Sequence, residues 1–297
     1  MNLGYACINM TLGEHKPKIT TNRSMIKKTF KEKGITYASE LGIQNSRDLV
    51  EIIKWNNMNG INFFRLTSDL FPWASEYSLT ELPHYNLIEN ILGVAGALAN
   101  KCGQRITSHP GPFNVLVSPK QHVVENTIAD LTLHGEVFDM LGLSRSPYNK
   151  INIHCNGVYG DKIAAMDRFC KNFERLPKSV QTRLTVENDD KASMYSVNDL
   201  MYIHERIGIP IVFDYHHHKF CAGDLSEEEA LKLAVSTWRD VKPVVHYSES
   251  KALHERNDKL KPQAHSDYIK ELPNTYGLDL DVMVEAKAKE LSILPFL

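Results

Sequence analysis

The feature that most constrains the fold is a repeated alternation along the chain of a short apolar stretch with a longer segment of helical periodicity. Parallel sheets are built from such units, because neighbouring parallel strands need a crossover connection that is usually a helix. The alternation occurs eight times, the number that closes a barrel, and 297 residues is a usual length for one such barrel. The sequence therefore predicts an α/β fold, a (β/α)₈ TIM barrel formed as a single domain by residues 1–297.

The predicted elements are approximate in their bounds but regular in their order. The predicted strands cover residues 3–8, 62–66, 105–108, 150–154, 183–187, 210–214, 243–246 and 280–284. The predicted helices cover residues 25–41, 46–58, 85–101, 119–141, 161–175, 196–207, 226–238, 266–272 and 286–291. A doubly wound open sheet is the alternative, and it is disfavoured because no glycine-rich phosphate turn follows any strand.

Composition excludes several classes of protein. Hydrophobic residues make up 42% and charged residues 24%, as in an ordinary globular domain. No apolar run approaches the roughly 18 residues of a membrane span, and the first residues predict no secretion signal. The five cysteines form no CxxC pair, which indicates free thiols in a reducing compartment. The net charge of −2 counts against a strong non-specific DNA binder but permits a local basic rim.

Six successive predicted strands end in a residue that binds metals. In (β/α)₈ enzymes the active site lies at the carboxyl ends of the strands, so these side chains should converge. One histidine or carboxylate at such a place is more often a hydrogen-bonded structural residue or a helix cap. Three imidazoles and three carboxylates together would bury charge that only cations compensate, which predicts a metal centre. The six are His109, His154, Glu187, Asp214, His246 and Glu285.

The donor set limits the metals and the chemistry. It contains only nitrogen and oxygen atoms, without a thiolate, and six ligands exceed the needs of one ion. The size of the set predicts two to three divalent ions, and its donors suit Mn²⁺, Zn²⁺, Fe²⁺ or Co²⁺. Our expectation is Mn²⁺, with Zn²⁺, Co²⁺ or Mg²⁺ as alternatives. Clustered ions that share a carboxylate are typical of enzymes that hydrolyse phosphodiesters.

Nine strings give the chain a family resemblance. They are GYACIN, FFRLTSDLFPWAS, SHPG, INIHCNG, LTVENDD, VFDYHHH, VVHYSES, QAHSDY and DVMVEAKAKE. As a set, and in this order over nearly the whole chain, they resemble the UV-damage endonucleases, whose barrel is related to endonuclease four and to xylose isomerase. The resemblance implies an enzyme that nicks DNA immediately 5′ of cyclobutane pyrimidine dimers and 6-4 photoproducts, leaving a 3′-hydroxyl and a 5′-phosphate.

The resemblance also implies the partners and the place of action. The partner would be damaged double-stranded DNA, bound by a monomer without an obligate protein partner or a membrane. We expect the cytoplasm, at the nucleoid, in a bacterium or archaeon, and the nucleus in a eukaryote.

Roles for the predicted ligands follow from the same resemblance, which implies a bridging role for Glu187. It assigns one ion to His109, His154 and Glu187, a second to Glu187, Asp214, His246 and Glu285, and a third to His217 and His265. The six strand-end residues are then also the expected catalytic residues. Glu76 resembles a family position near the metals or the cleaved phosphate, with an exposed loop glutamate as the equal alternative.

The resemblance implies that residues at two places in the chain contact the damaged bases and so probe the duplex for lesions. Tyr5 matches a probing position in the first strand, and Pro112 and Phe113 stand where the family commonly has Gln-Tyr. Phe113 can still wedge into stacked bases, whereas Pro112 has no amide to offer an orphaned base; packing within the protein is the alternative for Tyr5 and Phe113. The family also often has a lysine that can be carboxylated at the position of Val244, where valine excludes that modification.

Other polar residues near the strand ends have supporting roles in this interpretation. Asn188 and Asp189 orient Glu187 and a neighbouring ligand or cap the following turn, and His216 and His218 point away from the metals. Candidate phosphate contacts, each also explained as part of a solvated face, are Lys16, Lys18, Arg23, Lys27, Lys28, Arg145, Lys219, Lys251 and Arg256.

Three other functions remain open at this point. An abasic-site endonuclease of the endonuclease-four type would share the metals but not the preference for photoproducts. A metal-dependent sugar isomerase would need a sugar pocket and a catalytic lysine or histidine pair, for which no string is evident. A non-catalytic metal or DNA-binding protein would not require every ligand.

Overall fold

The eight predicted strands form one closed parallel barrel in the computed structural model, which describes residues 1–297. Each strand pairs with its neighbours in chain order, and β1 closes the barrel on β8, so the expected (β/α)₈ fold is confirmed and the open sheet is excluded. The strands are Leu3–Ala6 (β1), Phe63–Leu66 (β2), Arg105–Ser108 (β3), Ile151–His154 (β4), Leu184–Glu187 (β5), Ile211–Asp214 (β6), Val244–Tyr247 (β7) and Asp281–Val284 (β8).

Helices cover the outside of the barrel and fill several of its loops. No helix combines the length and the apolar character needed to cross a membrane. They are Met10–Gly13 (α1), Lys27–Met58 (α2), Tyr85–Lys101 (α3), Gln121–Met140 (α4), Lys162–Phe173 (α5), Lys178–Gln181 (α6), Val197–Ile207 (α7), Tyr215–His218 (α8), Glu227–Ser236 (α9), Lys251–Glu255 (α10) and Glu290–Ile293 (α11).

The segment α2 consists of two helices that meet at a kink, as predicted for residues 25–41 and 46–58, but the break lies earlier in the chain. The irregular residue is Gly34, whose φ of 64° and ψ of −158° kink the helix near its start. The helix continues through Gly42, where a Cβ atom would lie 3.0 Å from the Phe71 ring. Close packing at Gly42 thus outweighs the weak helix propensity of glycine, and the prediction placed the break ten residues too late.

The β7–β8 connection differs most from the prediction. Residues 266–272, predicted as a helix, are irregular, and the short helix α10 precedes them. The backbone amides of Lys270 and Glu271 donate to the Glu249 carboxylate at 2.7 and 3.4 Å instead of to helical carbonyls. An isolated bridge pairs Ser250 with His265. The Glu249 carboxylate therefore takes the place of helical hydrogen bonds in this connection. The periodicity of residues 266–272 alone does not reveal such a contact.

The floor of the barrel, at the amino ends of the strands, holds a buried ion pair. Arg105 and Asp281 are almost fully buried, and Arg105 Nη1 lies 3.1 Å from Asp281 Oδ2. Arg105 also donates to the carbonyl oxygens of Tyr148 at 2.7 Å and Lys242 at 2.9 Å. Gly4 is required close by, since a Cβ atom there would lie 2.6 Å from the Phe63 ring. This end of the barrel is a packed plug, and the open end is the opposite one.

Arg105→Met is expected to lower the free energy of unfolding by about 3–5 kcal/mol, because it leaves Asp281 buried without its guanidinium partner. Denaturant unfolding followed by circular dichroism measures this. The matched control is Arg145→Met, which removes an arginine from the exposed Arg145–Asp139 pair, and its cost should stay below about 1 kcal/mol. Equal losses in the two variants would contradict a special role for the buried pair.

Candidate metal centre

Seven of the eight predicted metal ligands meet at the carboxyl ends of the strands. They fall into three overlapping groups in which one donor atom of each residue lies within 4.8 Å of the others. The groups are His109, His154 and Glu187; Glu187, Asp214 and His217; and Asp214, His246 and Glu285. The eighth residue, His265, lies beside the cluster, with its ring 6.4 Å from that of His217.

Glu187 stands at the centre of the cluster because β5 brings its carboxylate up between four histidines. Its Oε2 lies 3.1 Å from His109 Nε2 and 3.0 Å from His246 Nδ1. His154 Nε2 lies 3.8 Å from the same oxygen, and His217 Nδ1 lies 3.4 Å from Oε1. Glu187 is completely buried. A single carboxylate thus contacts side chains from four other strand ends.

Backbone carbonyl oxygens fix the tautomer of three histidines. The Nδ1 atoms of His109, His217 and His265 lie 3.1, 2.9 and 2.9 Å from the carbonyl oxygens of Pro110, Asn188 and Glu285, respectively. Since a carbonyl oxygen only accepts, each Nδ1 carries the proton and donates it. Each Nε2 is therefore left with the lone pair that a metal ion needs, an arrangement typical of histidine ligands.

His246 is oriented in the opposite sense, by a residue that the sequence analysis missed. Its Nδ1 faces Glu187 and lies 3.2 Å from Glu285 Oε1, while its Nε2 lies 3.0 Å from Lys150 Nζ. Lys150 is fully buried inside the barrel, and burial lowers its pKa to about 7. The alternation along β4 is the signal that would have found it: Lys150, Asn152 and His154 share the inward face.

His154 and Asp214 are supported by the two residues that follow Glu187. Asp189 Oδ1 lies 3.3 Å from His154 Nδ1, which leaves Nε2 facing the cluster. The Asn188 side chain accepts from the backbone nitrogen of Asp214 at 2.8 Å and donates to its carbonyl oxygen at 3.1 Å. The structure thus brings Asp189 to His154 and Asn188 to the backbone of Asp214, whereas the side chain that donates to Glu187 is that of Asn152 and not of either expected residue.

Arg65 is a second residue of the site that sequence reasoning missed. Its guanidinium pairs with the Glu285 carboxylate, and both side chains are largely buried. Arg65 points into the barrel from β2. The end of this strand carries none of the eight predicted metal ligands. Its position in FFRL, two residues after the inward-facing Phe63, is the sequence signal that was available.

The carboxylates and imidazoles of the cluster shift one another's pKa values. Burial lowers the pKa of His154, but Glu187 and Asp189 outweigh burial and raise it to about 10. Burial would raise the pKa of Glu187, but His246 and His154 hold it well below its usual range. Burial raises the pKa of Asp214 to about 6 against the opposing effect of His217. The buried Glu187 carboxylate therefore needs positive charge beside it. Protons on the neighbouring histidines provide that charge when no metal ion is bound.

Several donor atoms of the cluster lack hydrogen bonds and fit a cation. Glu187 Oε1 and Asp214 Oδ2 are buried and have no hydrogen-bond partner. Buried polar atoms almost always have a hydrogen-bond partner. Buried acceptors without one, close to one another, therefore indicate a site for a cation. The residues present thus match the nitrogen and oxygen donors that divalent ions take in catalytic sites.

Asp189→Asn is expected to weaken binding of Mn²⁺ by about 10–100-fold, because the carboxylate that holds His154 is lost while the size of the side chain is kept. Isothermal titration calorimetry measures the affinity without any substrate. The matched control, Asp190→Asn, removes the same charge from the next residue, whose side chain contacts no ligand of the cluster. Equal effects of both substitutions would show that only overall charge matters at this position.

The residues predicted to probe DNA lie in two very different environments. Pro112 and Phe113 are exposed, and Phe113, at 87% exposure, is the most exposed large hydrophobic residue of the chain. Tyr5 is fully buried; its hydroxyl donates to Asn56 Oδ1 at 2.7 Å and accepts from Asn9 Nδ2 at 2.9 Å. The structure therefore places Tyr5 in the core, as in the packing alternative, and Phe113 at the surface.

Glu76 lies outside the metal groups, in the wall of a groove of about 1080 Å³ beside the mouth. The groove also contacts Phe113, and all of its ionisable residues are acidic. These acidic residues are Asp69, Glu76, Glu81, Asp130 and Glu136. The structure therefore places Glu76 in a wall of carboxylates, outside the three donor groups.

His216 and His218 point away from the cluster, as the sequence analysis expected for residues that flank a ligand. Both are buried on α8, and the His216 ring packs edge-on against Phe220 at 5.2 Å and His265 at 5.5 Å. Burial, with a contribution from His265, lowers the pKa of His216 to about 4. His216 therefore supports the side of the site as a neutral ring.

The candidate phosphate contacts divide by position. Arg145 precedes β4 and lies at the closed end of the barrel, and Arg23 is held by Asp48 at 2.6 Å. The exposed candidates that remain follow strands β1, β6 and β7 at the rim of the mouth and are Lys16, Lys18, Lys27, Lys28, Lys219 and Arg256, of which Lys27 and Lys28 lie in the first turn of α2. Lys251 is paired with Glu255 and Asp267. Exposed carboxylates such as Glu14, Asp224 and Asp258 lie on the same connections, so the rim carries charges of both signs.

Comparison with known proteins shows which family the chain is similar to. The model of the family described as UV-endonuclease UvdE matches residues 1–297. The chain is 36% identical over 303 residues to the UV-damage endonuclease of Schizosaccharomyces pombe, an alignment that covers 98% of this chain and 49% of that protein. It is 31% identical over 307 residues to the UV DNA damage endonuclease of Bacillus cereus (strain Q1), with 100% of this chain and 93% of that protein covered. The chain thus spans about half the length of the yeast relative.

Solved structures agree with the sequence comparison. The crystal structure of SacUVDE superposes with a TM-score of 0.85 at 31% identity and covers 99% of this chain and 96% of that chain. A D-psicose 3-epimerase from Clostridium cellulolyticum H10 gives a TM-score of 0.57 at 12% identity, with 96% of this chain and 85% of that chain covered. At so low an identity the second likeness extends to the barrel fold alone.

Proposed function

The chain belongs to the UV-endonuclease UvdE family, and on this premise we propose that it is a DNA repair endonuclease that acts on UV photoproducts in double-stranded DNA. It nicks the backbone immediately 5′ of cyclobutane pyrimidine dimers and 6-4 photoproducts and leaves a 3′-hydroxyl and a 5′-phosphate. The observation that carries the proposal is the convergence of seven histidine and acidic side chains at the open end of the barrel. The enzyme acts as a monomer, in the nucleus of a eukaryote or at the nucleoid of a prokaryote.

The cluster provides for two to three divalent ions, of which Mn²⁺ is the first candidate. His109, His154 and Glu187 hold one, and Glu187, Asp214, His246 and Glu285 hold a second. His217, which lies beside Glu187 and Asp214, and His265, at the edge of the cluster, are the ligands proposed for the third ion. When bound, such ions supply a water of lowered pKa and neutralise charge on the attacked phosphate and the leaving oxygen.

The protein's own residues orient this centre and place the DNA. The carbonyl oxygens of Pro110 and Asn188 and the carboxylate of Asp189 hold the imidazoles in the ligating orientation. Arg65 fixes the Glu285 carboxylate from the side of β2. The lysines of the rim contact backbone phosphates, so affinity should fall as salt rises.

Nicking of a defined substrate tests the proposal. The protein is incubated with Mn²⁺ and end-labelled duplexes that carry one cyclobutane dimer, one abasic site or no damage, and the product ends are mapped. We expect a single cut 5′ of the dimer, with a 3′-hydroxyl end that a polymerase extends. A cut at the abasic site alone would instead support the endonuclease-four type of function, and no cut in any duplex would overturn the proposal.

Phe113→Ala is expected to weaken binding to a dimer-containing duplex roughly tenfold and to leave binding to the undamaged duplex nearly unchanged. An exposed aromatic ring inserts more easily where a photoproduct has already weakened stacking and pairing. Fluorescence anisotropy on duplexes of identical sequence measures both affinities. Val94→Ala, an exposed apolar residue on α3, is the control. Equal losses on both duplexes, or no loss on either, would place lesion recognition elsewhere.

A further inference from the structure

The loop between β4 and α5 has an unusual backbone. It begins directly after the ligand His154, and three of its residues have a positive φ: Asn156 at 64°, Tyr159 at 51° and Gly160 at 81°. Glycine adopts this region freely, but other residues pay about 1–2 kcal/mol for it. Such conformations persist where the surrounding structure enforces them, and they concentrate at functional sites. Tyr159 is thus held in a costly conformation at the mouth of the barrel.

Contacts on several sides hold this loop in place. The Asn156 side chain donates to the carbonyl oxygen of Asn114 at 3.2 Å, which ties the loop to the one that carries Phe113. The Tyr195 hydroxyl donates to the carbonyl oxygen of Gly157 at 3.2 Å. A Cβ atom on Gly157 would lie 2.9 Å from the Tyr159 ring, so the ring rests on the glycine backbone.

Arginine completes the support of the Tyr159 ring. The guanidinium carbon of Arg168 lies 5.7 Å from the ring centroid, within cation–π range, and Arg168 Nε donates to the carbonyl oxygen of Val117 at 2.7 Å. The residue nevertheless remains 48% exposed, and its hydroxyl makes no hydrogen bond within the protein. The loop therefore presents a supported aromatic surface to solvent, five residues after a metal ligand and tied to the loop of Phe113.

We propose that Tyr159 is a stacking platform for a nucleobase displaced at the nicking site, and that it holds the damaged duplex together with Phe113. This inference rests on the proposed function. The two aromatic residues differ in support: Phe113 projects from its loop almost without contacts, as a wedge does, whereas Tyr159 is supported from behind, as a platform is. Aromatic rings of the second kind bind bases by their faces, independently of base identity.

Three variants test the platform on the Mn²⁺-loaded protein. The probe is a duplex with one cyclobutane dimer, a non-hydrolysable methylphosphonate at the linkage 5′ of it, and 2-aminopurine beside it. Tyr159→Ala should weaken binding about tenfold and brighten the bound 2-aminopurine, because base–aromatic stacking is lost. Tyr159→Phe keeps the ring and should bind within about twofold of the unmodified protein. Tyr202→Ala, which removes an arginine-stacked tyrosine from α7, should change neither quantity.

The outcomes separate the platform from the enzyme's proposed function. A protein that prefers the damaged duplex but is unaffected by Tyr159→Ala overturns the platform alone. Loss of binding in Tyr159→Phe equal to that in Tyr159→Ala also overturns it, because the hydroxyl rather than the ring would then be responsible. An unmodified protein that binds damaged and undamaged duplexes equally overturns the proposed function instead.

Discussion

Glu187→Gln is expected to reduce nicking by several orders of magnitude while the barrel stays folded. The amide keeps the shape of the carboxylate, but the negative charge that lies between His109, His154 and His246 is lost. Two-metal hydrolysis depends on ions held about 3.5–4 Å apart, and a bridging carboxylate sets that separation. If Glu187 bridges two ions as proposed, its loss would affect both of them, whereas loss of a peripheral ligand would affect one.

Three measurements separate this interpretation from misfolding. Single-turnover nicking gives the loss of rate, elemental analysis gives the metal content, and thermal unfolding followed by circular dichroism reports the fold. Glu205→Gln, the same substitution at an exposed position on α7, is the control and should behave as the unmodified protein. Near-normal turnover in Glu187→Gln would end the bridging assignment, whatever its metal content.

Removal of metal is expected to abolish nicking and to lower the thermal unfolding temperature. A chelator leaves Glu187 and Asp214 with unsatisfied buried oxygen atoms, which histidine protons compensate only in part. A ligand that binds only the folded state stabilises it by mass action, so added Mn²⁺ should raise the unfolding temperature in proportion to the logarithm of its concentration.

The two effects are measured independently. Nicking in the chelator, and its recovery on addition of Mn²⁺, tests the catalytic requirement. Differential scanning calorimetry with increasing Mn²⁺ tests binding without DNA, and Glu187→Gln should show a smaller shift than the unmodified protein. Full activity in the chelator would contradict a metal-dependent mechanism, and an unfolding temperature indifferent to Mn²⁺ would contradict an ion at this cluster.

The strands and their ends could be predicted because parallel barrel strands are short, mostly apolar and separated by helical segments. Side chains at the carboxyl end of each strand lie at the mouth, which is why His109, His154 and Glu187 were found together. The break in α2 and the irregular β7–β8 connection were predicted wrongly, since Gly42 packing and the Glu249 carboxylate act from distant parts of the chain.

The residues that support the ligands were harder to predict. The alternation along β4 and β2 indicates that Lys150 and Arg65 face inward, but it does not indicate which ligand each of them contacts. Tyr5 and Phe113 show the same limit for aromatic side chains: one lies in the core and the other is nearly free in solvent. Burial of a single side chain depends on tertiary neighbours, which periodicity alone does not give.

The closure of β1 on β8 has a consequence for how the proposed ions would be acquired. The donors are spread from His109, after β3, to Glu285, after β8. The group of His109, His154 and Glu187 needs only β3 to β5, whereas the group of Asp214, His246 and Glu285 needs β6 to β8. We therefore expect an incompletely folded chain to offer at most part of the donor set, and the complete set to form only when the closed ring of strands brings both groups together at the mouth.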